Sequence, residues 1–286
     1  MKTILKILGG LLLLILLAVL GVYFFGTSDL RTETVKNNFD AERGQALLSA
    51  MAEAHGVPHW DSMETYSVQF EDKFFGKIPG EHAFQSDEVK MTIDYIPKTY
   101  NGRLTFEEGM PKGTVWGIQS WKTYIQPPNE SIEWKQDGEV YFWLPTYQYF
   151  VEFPARILKA DVVSYAGERE IEGRTCEGIY ATWKMAEPQR DIDQYLIWVD
   201  KETKLITLME YTIREKMNFL VGGAYFKEIQ DFDGLKLPTF LPVISGLVDG
   251  YLHEMRITGI QRDKVSKSDI LPNENLEFIG DDKPVE

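Results

Sequence analysis

The sequence predicts a mainly β chain with few helices, built on an antiparallel sheet. Three observations carry this expectation. From residue 64 onward, apolar and polar residues alternate with period two, leaving one dry and one wet face, the pattern of antiparallel strands. Turn dipeptides then recur between the strand-like runs. The aromatic share is 13%, which favours a sheet-rich core.

In order along the sheet, "ETYSVQFED" sets Tyr66, Val68 and Phe70 against Ser67, Gln69 and Glu71. "VKMTIDYI" does the same with Val89, Met91, Ile93 and Tyr95, and "GRLTFEEG" adds Leu104 and Phe106. Hairpin turns are expected at Asp137-Gly138, near Glu172-Gly173, at Asp200 to Thr203, and at Asp233-Gly234. "YLHEMRITGIQR" closes the series, and an acidic tail of little apolar content follows over 263–286.

One stretch breaks this rhythm. "VYFWLPTYQYFVEFPARILKAD" (140–161) is dense in aromatics, and Pro145 and Pro154 are awkward in a central strand. Its expected form is strand, aromatic loop and short helix, with Pro154 at the first helical position. So many exposed rings would be a liability, so the segment is expected to pack on the sheet's dry face.

Ahead of the strands, a helix is predicted from Asp40, a good N-cap, with Leu47, Leu48 and Met51 as its apolar stripe. Gly56 suits the left-handed position beyond its end, and Pro58 bars continuation. His55 therefore falls at the helix terminus, where free carbonyls and the negative end of the dipole favour an imidazole. His59 lies beyond both breakers, so the two do not share the unbroken helical face that an i, i+4 metal pair requires. His82 and His253 sit in unrelated segments, and no metal site is expected.

The N-terminus begins with Lys2 and Lys6, followed by an uncharged run from Ile7 to Ser28. At ~1.5 Å per helical residue such a run spans the ~30 Å hydrocarbon layer. The lysines ahead and Asp29 behind place the N-terminus in the cytoplasm and the rest outside, on a single-pass inner-membrane topology. The competing reading, a cleaved signal peptide, has an apolar region of only ~7–15 residues and needs a cleavage site; Gly26-Thr27-Ser28 is a weak one. The expected organisation is an anchor or signal helix over 1–28, a polar linker over 29–39, a β domain over 40–262, and the tail.

Composition excludes several functions. Net charge is −14 with no Lys/Arg cluster, which argues against nucleic acid as a partner. A single cysteine, Cys176, rules out an intramolecular disulfide framework and multi-cysteine metal sites; its strand-like setting reads as a small buried side chain. No Gly-x-Ser-x-Gly elbow and no Gly-x-x-x-x-Gly-Lys phosphate loop occur. Acidic pairs such as Glu107-Glu108 and Asp281-Asp282 fall in loops or the tail. No cofactor is expected, and a non-enzymatic role is favoured.

The order of elements, with "AEAHG" followed by Trp60, then "WVDKETKLI" and "FDGLKLPT", resembles the LolA/LolB-like superfamily of bacterial envelope proteins, which includes lipoprotein carriers. The resemblance covers roughly residues 40–262 and rests on turn chemistry and aromatic patterning. It implies a strongly curved, unclosed half-barrel sheet with helices over its concave apolar face, and a cavity for acyl chains or lipoproteins. This chain departs from the family in its expected transmembrane helix. The expected ligand-binding residues are Phe142, Trp143, Tyr147, Phe150 and Phe153, between the sheet and the 140–161 segment. An envelope protein partner is a further expectation, and an extracytoplasmic interaction or sensory domain with no small ligand is the alternative.

Overall fold

In the computed structural model, the described residues are 10, 14, 21, 26–76, 84–246 and 249–280. The expected membrane helix over 1–28 therefore lies almost wholly outside them. Among the described residues, no helix is long and apolar enough to cross a membrane.

Among the described residues the architecture is one antiparallel sheet of 14 strands. The strands are β1 (Tyr66–Phe74), β2 (Glu88–Tyr95), β3 (Gly102–Glu108), β4 (Val115–Gln119), β5 (Lys122–Gln126), β6 (Glu133–Trp134), β7 (Val162–Ile171) and β8 (Arg174–Thr182). They continue with β9 (Tyr195–Asp200), β10 (Ile206–Ile213), β11 (Met217–Tyr225), β12 (Lys227–Phe232), β13 (Leu235–Ser245) and β14 (Tyr251–Arg262). Spatial order runs β6-β5-β4-β3-β2-β1-β14-β13-β11-β10-β9-β8-β7, with β12 paired to β13, so β6 and β7 stay apart and the sheet is unclosed. Among the described residues four α-helices accompany it: α1 (Glu33–Asn37), α2 (Ala41–Ala54), α3 (Gly138–Arg156) and α4 (Lys267–Ile270).

The period-two segments form β1, β2 and β3 as expected, with Tyr66, Val68, Phe70, Met91, Ile93, Leu104 and Phe106 all buried in one core. The β7–β8 turn holds Glu172 and Gly173 at φ 49° and 78°, and the β12–β13 turn holds Asp233 and Gly234 at 52° and 91°. These paired left-handed residues give the twist that two-residue hairpins need. The β4–β5 hairpin has no such dipeptide signature. Its turn is Ser120-Trp121, at φ 51° and 64°, and Asn101 Oδ1 supports it by accepting from Ser120 N at 2.7 Å.

The structure corrects two expectations over 133–159. Asp137-Gly138 is not a hairpin turn: Asp137 caps α3, its Oδ1 accepting from Glu139 N at 3.0 Å and Val140 N at 3.2 Å. The 140–161 segment is not strand, loop and short helix. It is one helix through Arg156, containing both prolines, followed by a 3₁₀ turn at Ile157–Lys159. Helical spacing explains this, because Val140, Leu144, Tyr147, Gln148 and Val151 fall on one buried stripe. A proline costs a helical hydrogen bond, and tertiary packing overrides that cost here. No residue from Glu139 to Arg156 is exposed.

The helices cover both faces of the sheet. Helix α2 packs Leu47, Leu48 and Met51 into the inner core, so closely that a Cβ on Gly44 would lie 2.6 Å from the Ser164 backbone. On the outer face, α1 puts Val35 into a second cluster with Ala166, Cys176, Tyr180, Leu196 and Trp198. Cys176 is fully buried there, and burial raises its thiol pKa. Between the two helices the chain wraps the free edge of β7, where Tyr165 N donates to Asp40 O at 3.0 Å.

His55 does more than cap its own helix. Its Nδ1 lies 2.7 Å from Lys236 O, and its Nε2 accepts from Ile206 N at 3.0 Å. These partners set the tautomer, with the proton on Nδ1, and leave no ring lone pair for a metal. Lys236 N returns a bond to His55 O at 3.1 Å. Gly56, at φ 72°, sits so close to Gly234 O that a Cβ would reach within 1.8 Å of it. "AEAHG", "KETKLI" and "FDGLKLPT", far apart in sequence, thus meet around one imidazole.

Burial pushes the His55 pKa down to about 4. The unfolded chain binds this proton more readily than the folded one, so the contribution is complete above about pH 6.5 and lost as pH falls toward 4. The size is ~3 kcal/mol, from 1.36 kcal/mol per unit. Urea denaturation at pH 7.5 and 4.5 should show a steeper acid loss for the wild type than for His55→Gln, which should be the weaker protein at pH 7.5. Parallel losses would exclude a buried neutral imidazole.

Candidate functional site

The concave face of the sheet and the α3 helix across it form the candidate site. The sheet curves far enough that one helix touches widely separated strands. Tyr141 meets Trp121 at the β4–β5 turn (5.6 Å between centroids), Tyr147 meets Phe70 on β1 (5.0 Å), and Phe153 meets Tyr195 on β9 (5.6 Å).

The five aromatics expected to line a ligand site divide into three groups. Trp143 and Tyr147 stack at 5.5 Å and contact Phe84; Trp143 also meets Phe74 and His253. Phe150 and Phe153 point the other way, onto Tyr211 and onto Tyr195 and Phe226. Phe142 is half-buried at the outer end, where Lys216 Nζ lies 4.0 Å from its ring centroid. Among the described residues, the rings of Trp143, Tyr147, Phe150 and Phe153 pack into the core cluster between α3 and the sheet. Concavities of about 210 and 390 Å³ lie elsewhere, one by Val57, Lys98 and Leu158 at the end of α3, the other by Arg31, Phe39 and Met185 on the outer side.

Two buried polar clusters lie in the same interface. In the first, Asp72 on β1 is engaged from both sides, by His253 Nδ1 at 2.8 Å and by Tyr147 OH, which donates at 2.8 Å. Phe74 stacks on the His253 ring at 5.0 Å. Burial drives the Tyr147 phenol pKa well above its ordinary value, and the neighbouring Asp72 carboxyl adds to this. In the second, Glu152 pairs with Arg156 at 3.0 Å, with the side chains 1% and 4% exposed. Glu152 also accepts from Tyr66 OH at 2.6 Å, Gln148 Nε2 at 2.8 Å and Lys98 N at 3.0 Å. Burial disfavours the Arg156 charge most strongly, but Glu152 together with the phenols of Tyr100, Tyr66 and Tyr149 outweighs this and holds the guanidinium above its ordinary pKa.

Sequence reasoning missed these polar residues, although parity carried a signal. Asp72 continues the buried series Tyr66, Val68, Phe70, and His253 continues with Met255 and Ile257 on β14. An ionisable residue at an apolar-parity position marks an interior polar contact. Glu152 and Arg156 stand at i, i+4, legible only once the segment is known to be helical. Among the described residues, no group of three or more His, Cys, Asp or Glu could hold a metal ion.

The Glu152–Arg156 pair should be costly to break. Glu152→Gln leaves a buried guanidinium without its counter-charge, an effect of ~3–5 kcal/mol. Tyr66→Phe removes one hydrogen bond to the same carboxylate, about 1 kcal/mol. Urea unfolding of both variants checks the ranking, and equal losses would mean that the pair is not buried as described.

No family model matches the chain, and no curated protein matches it by sequence. Solved structures do match its fold. A domain described as an outer membrane lipoprotein-sorting protein, from Vibrio parahaemolyticus, superposes with a TM-score of 0.52 at 10% identity, covering 81% of this chain and 97% of that one. A DUF1329 family protein from Desulfovibrio piger gives 0.51 at 14% identity over 81% and 97%. A LolA superfamily protein from Nitrosomonas europaea gives 0.50 at 9% identity over 79% and 96%. At these identities the likeness concerns architecture alone: an unclosed antiparallel sheet with helices inside its curve, which is a LolA-like fold.

Proposed function

We propose that this chain is a non-enzymatic, membrane-anchored envelope protein that binds a lipid, an acyl chain or a lipoprotein acyl group on the concave face of its sheet. The observation that carries the reading is α3, one helix between β6 and β7 that closes the curve with aromatic side chains. Such a face offers an acyl chain the same kind of surface that it offers α3. On this reading α3 occupies the face in the unliganded protein, and binding requires it to lift. The polar clusters around Asp72 and Glu152 make lifting less costly than in an all-apolar core, because water can take over their hydrogen bonds. The lipoprotein-sorting description of the Vibrio domain supports the same ligand class.

The uncharged run behind Lys2 and Lys6 supports retention in the inner membrane, with the β domain on the extracytoplasmic side. N-terminal sequencing of the mature protein should find the segment still attached; a chain starting near residue 29 would overturn retention. The second reading, a protein-interaction or sensory domain with no small ligand, is favoured by the close packing of α3 in the core cluster.

A fluorescent fatty acid separates the two. The wild type should bind it, and Phe150→Ala or Phe153→Ala should weaken binding more than folding. An ordinary core phenylalanine behaves in the opposite way, costing ~3–5 kcal/mol of stability. Absence of probe binding, with α3 protected from hydrogen exchange as strongly as the sheet, would favour the interaction domain.

A further inference from the structure

We infer that the domain rests on its own membrane in one fixed orientation, with the β10–β11 turn and the 184–191 loop against the lipid headgroups. This rests on the anchored reading above and adds to it which end of the domain faces the bilayer.

The uncharged run ends at Ser28. Ser28 is bound to the domain. Its backbone N donates to Asn218 O at 3.1 Å, and Arg214, only 7% exposed, reaches it with Nη1 on its Oγ at 2.9 Å and Nη2 on its carbonyl O at 2.5 Å. Arg214 and Asn218 flank the β10–β11 turn. The following residues leave no slack. Leu30 N donates to Gln194 Oε1 at 2.9 Å, Arg31 pairs with Glu187 at 3.3 Å, and Thr32 Oγ1 donates to Ala166 O at 2.8 Å. Helix α1 then buries Val35 on the outer face, and Gly167, at φ 99°, approaches Thr34 so closely that a Cβ would lie 2.7 Å from its Oγ1. A free linker over 29–39 would let the domain drift by roughly 20 Å. This one is strapped down, and Gly26 to Ser28 are already non-helical, so a span ending ahead of Gly26 puts the β10–β11 turn within roughly 10 Å of the membrane boundary.

The side chains at that end suit the place. Met217 and Met185 are 40% and 51% exposed; Lys184 precedes Met185, and Arg190 lies in the same loop, which also carries Glu187 and Asp191. Thioethers that can enter the headgroup layer, next to long cations that can reach phosphates, fit an interfacial surface. Lys216 reaches Phe142 near the start of α3, and Lys184 N donates to Asp161 Oδ1 at 3.0 Å just beyond its end, so this end of the domain borders the cover at two places.

Labelling the full chain in phosphatidylcholine/phosphatidylglycerol vesicles tests this. Met217→Cys and Glu202→Cys would each carry a polarity-sensitive fluorophore; Cys176 is fully buried and stays unlabelled in the native protein. Glu202 lies in the β9–β10 turn, at the far end of an eight-residue strand, roughly 25 Å from Met217. Headgroup-depth quencher lipids should quench the Met217→Cys label at least threefold more than the Glu202→Cys label. Adding Arg214→Lys, which keeps the charge but loses the fork, should bring the two closer. Equal quenching in vesicle-bound protein, or no response to Arg214→Lys, would overturn the fixed orientation while leaving anchoring intact. Protein released to the soluble fraction would overturn both.

Discussion

A sheet that curves without closing leaves an inner face that no second sheet covers, and in this chain α3 fills that space. Phe70, Phe106, Tyr195 and Tyr211 come from strands at different points of the curve, yet the rings of α3 or of Phe84 beside it meet each of them. This explains why a helix carrying two prolines persists. The apolar area it covers outweighs the hydrogen bonds that Pro145 and Pro154 cannot donate. It also explains why none of its residues after Gly138 is exposed, unlike a surface helix with one wet face.

The interior is not purely apolar. Asp72, His253 and Tyr147 bond one another on one side, and Glu152, Arg156, Gln148 and Tyr66 on the other. Buried polar groups of this kind specify one seating of α3, because a slipped helix would leave charges without partners. They also give the interface a wet alternative that hydrocarbon contacts lack. The same surface can thus be well defined when closed and still separable.

His55 plays the corresponding role for α2. It joins backbone groups of β10 and β13, two strands that do not pair with each other. The three stretches that carry the resemblance to the LolA/LolB-like superfamily meet at this point. The motif is therefore better understood as a structural joint than as a binding site: its glycines permit close backbone approach, and its histidine satisfies two groups that no neighbouring strand reaches.

Much of the sheet was legible from sequence alone. Period-two alternation marks β1, β2 and β3, and Glu172-Gly173 and Asp233-Gly234 mark two hairpins, because both signals depend on local geometry only. The N-cap at Asp40 and the break at Gly56 were legible for the same reason. The β4–β5 turn was not, since Ser120-Trp121 is held left-handed by Asn101, a contact from another strand pair. Nor was α3, where local chemistry pointed the wrong way: prolines and a dense run of aromatics argue against a long helix until the concave face is present to bury them. The aromatic ligand candidates were recognisable as apolar, but only the tertiary structure decided which way each ring points and that Asp72, His253, Glu152 and Arg156 stand among them. Sequence periodicity records which residues avoid water; which partners they meet depends on strands brought together from opposite ends of the chain.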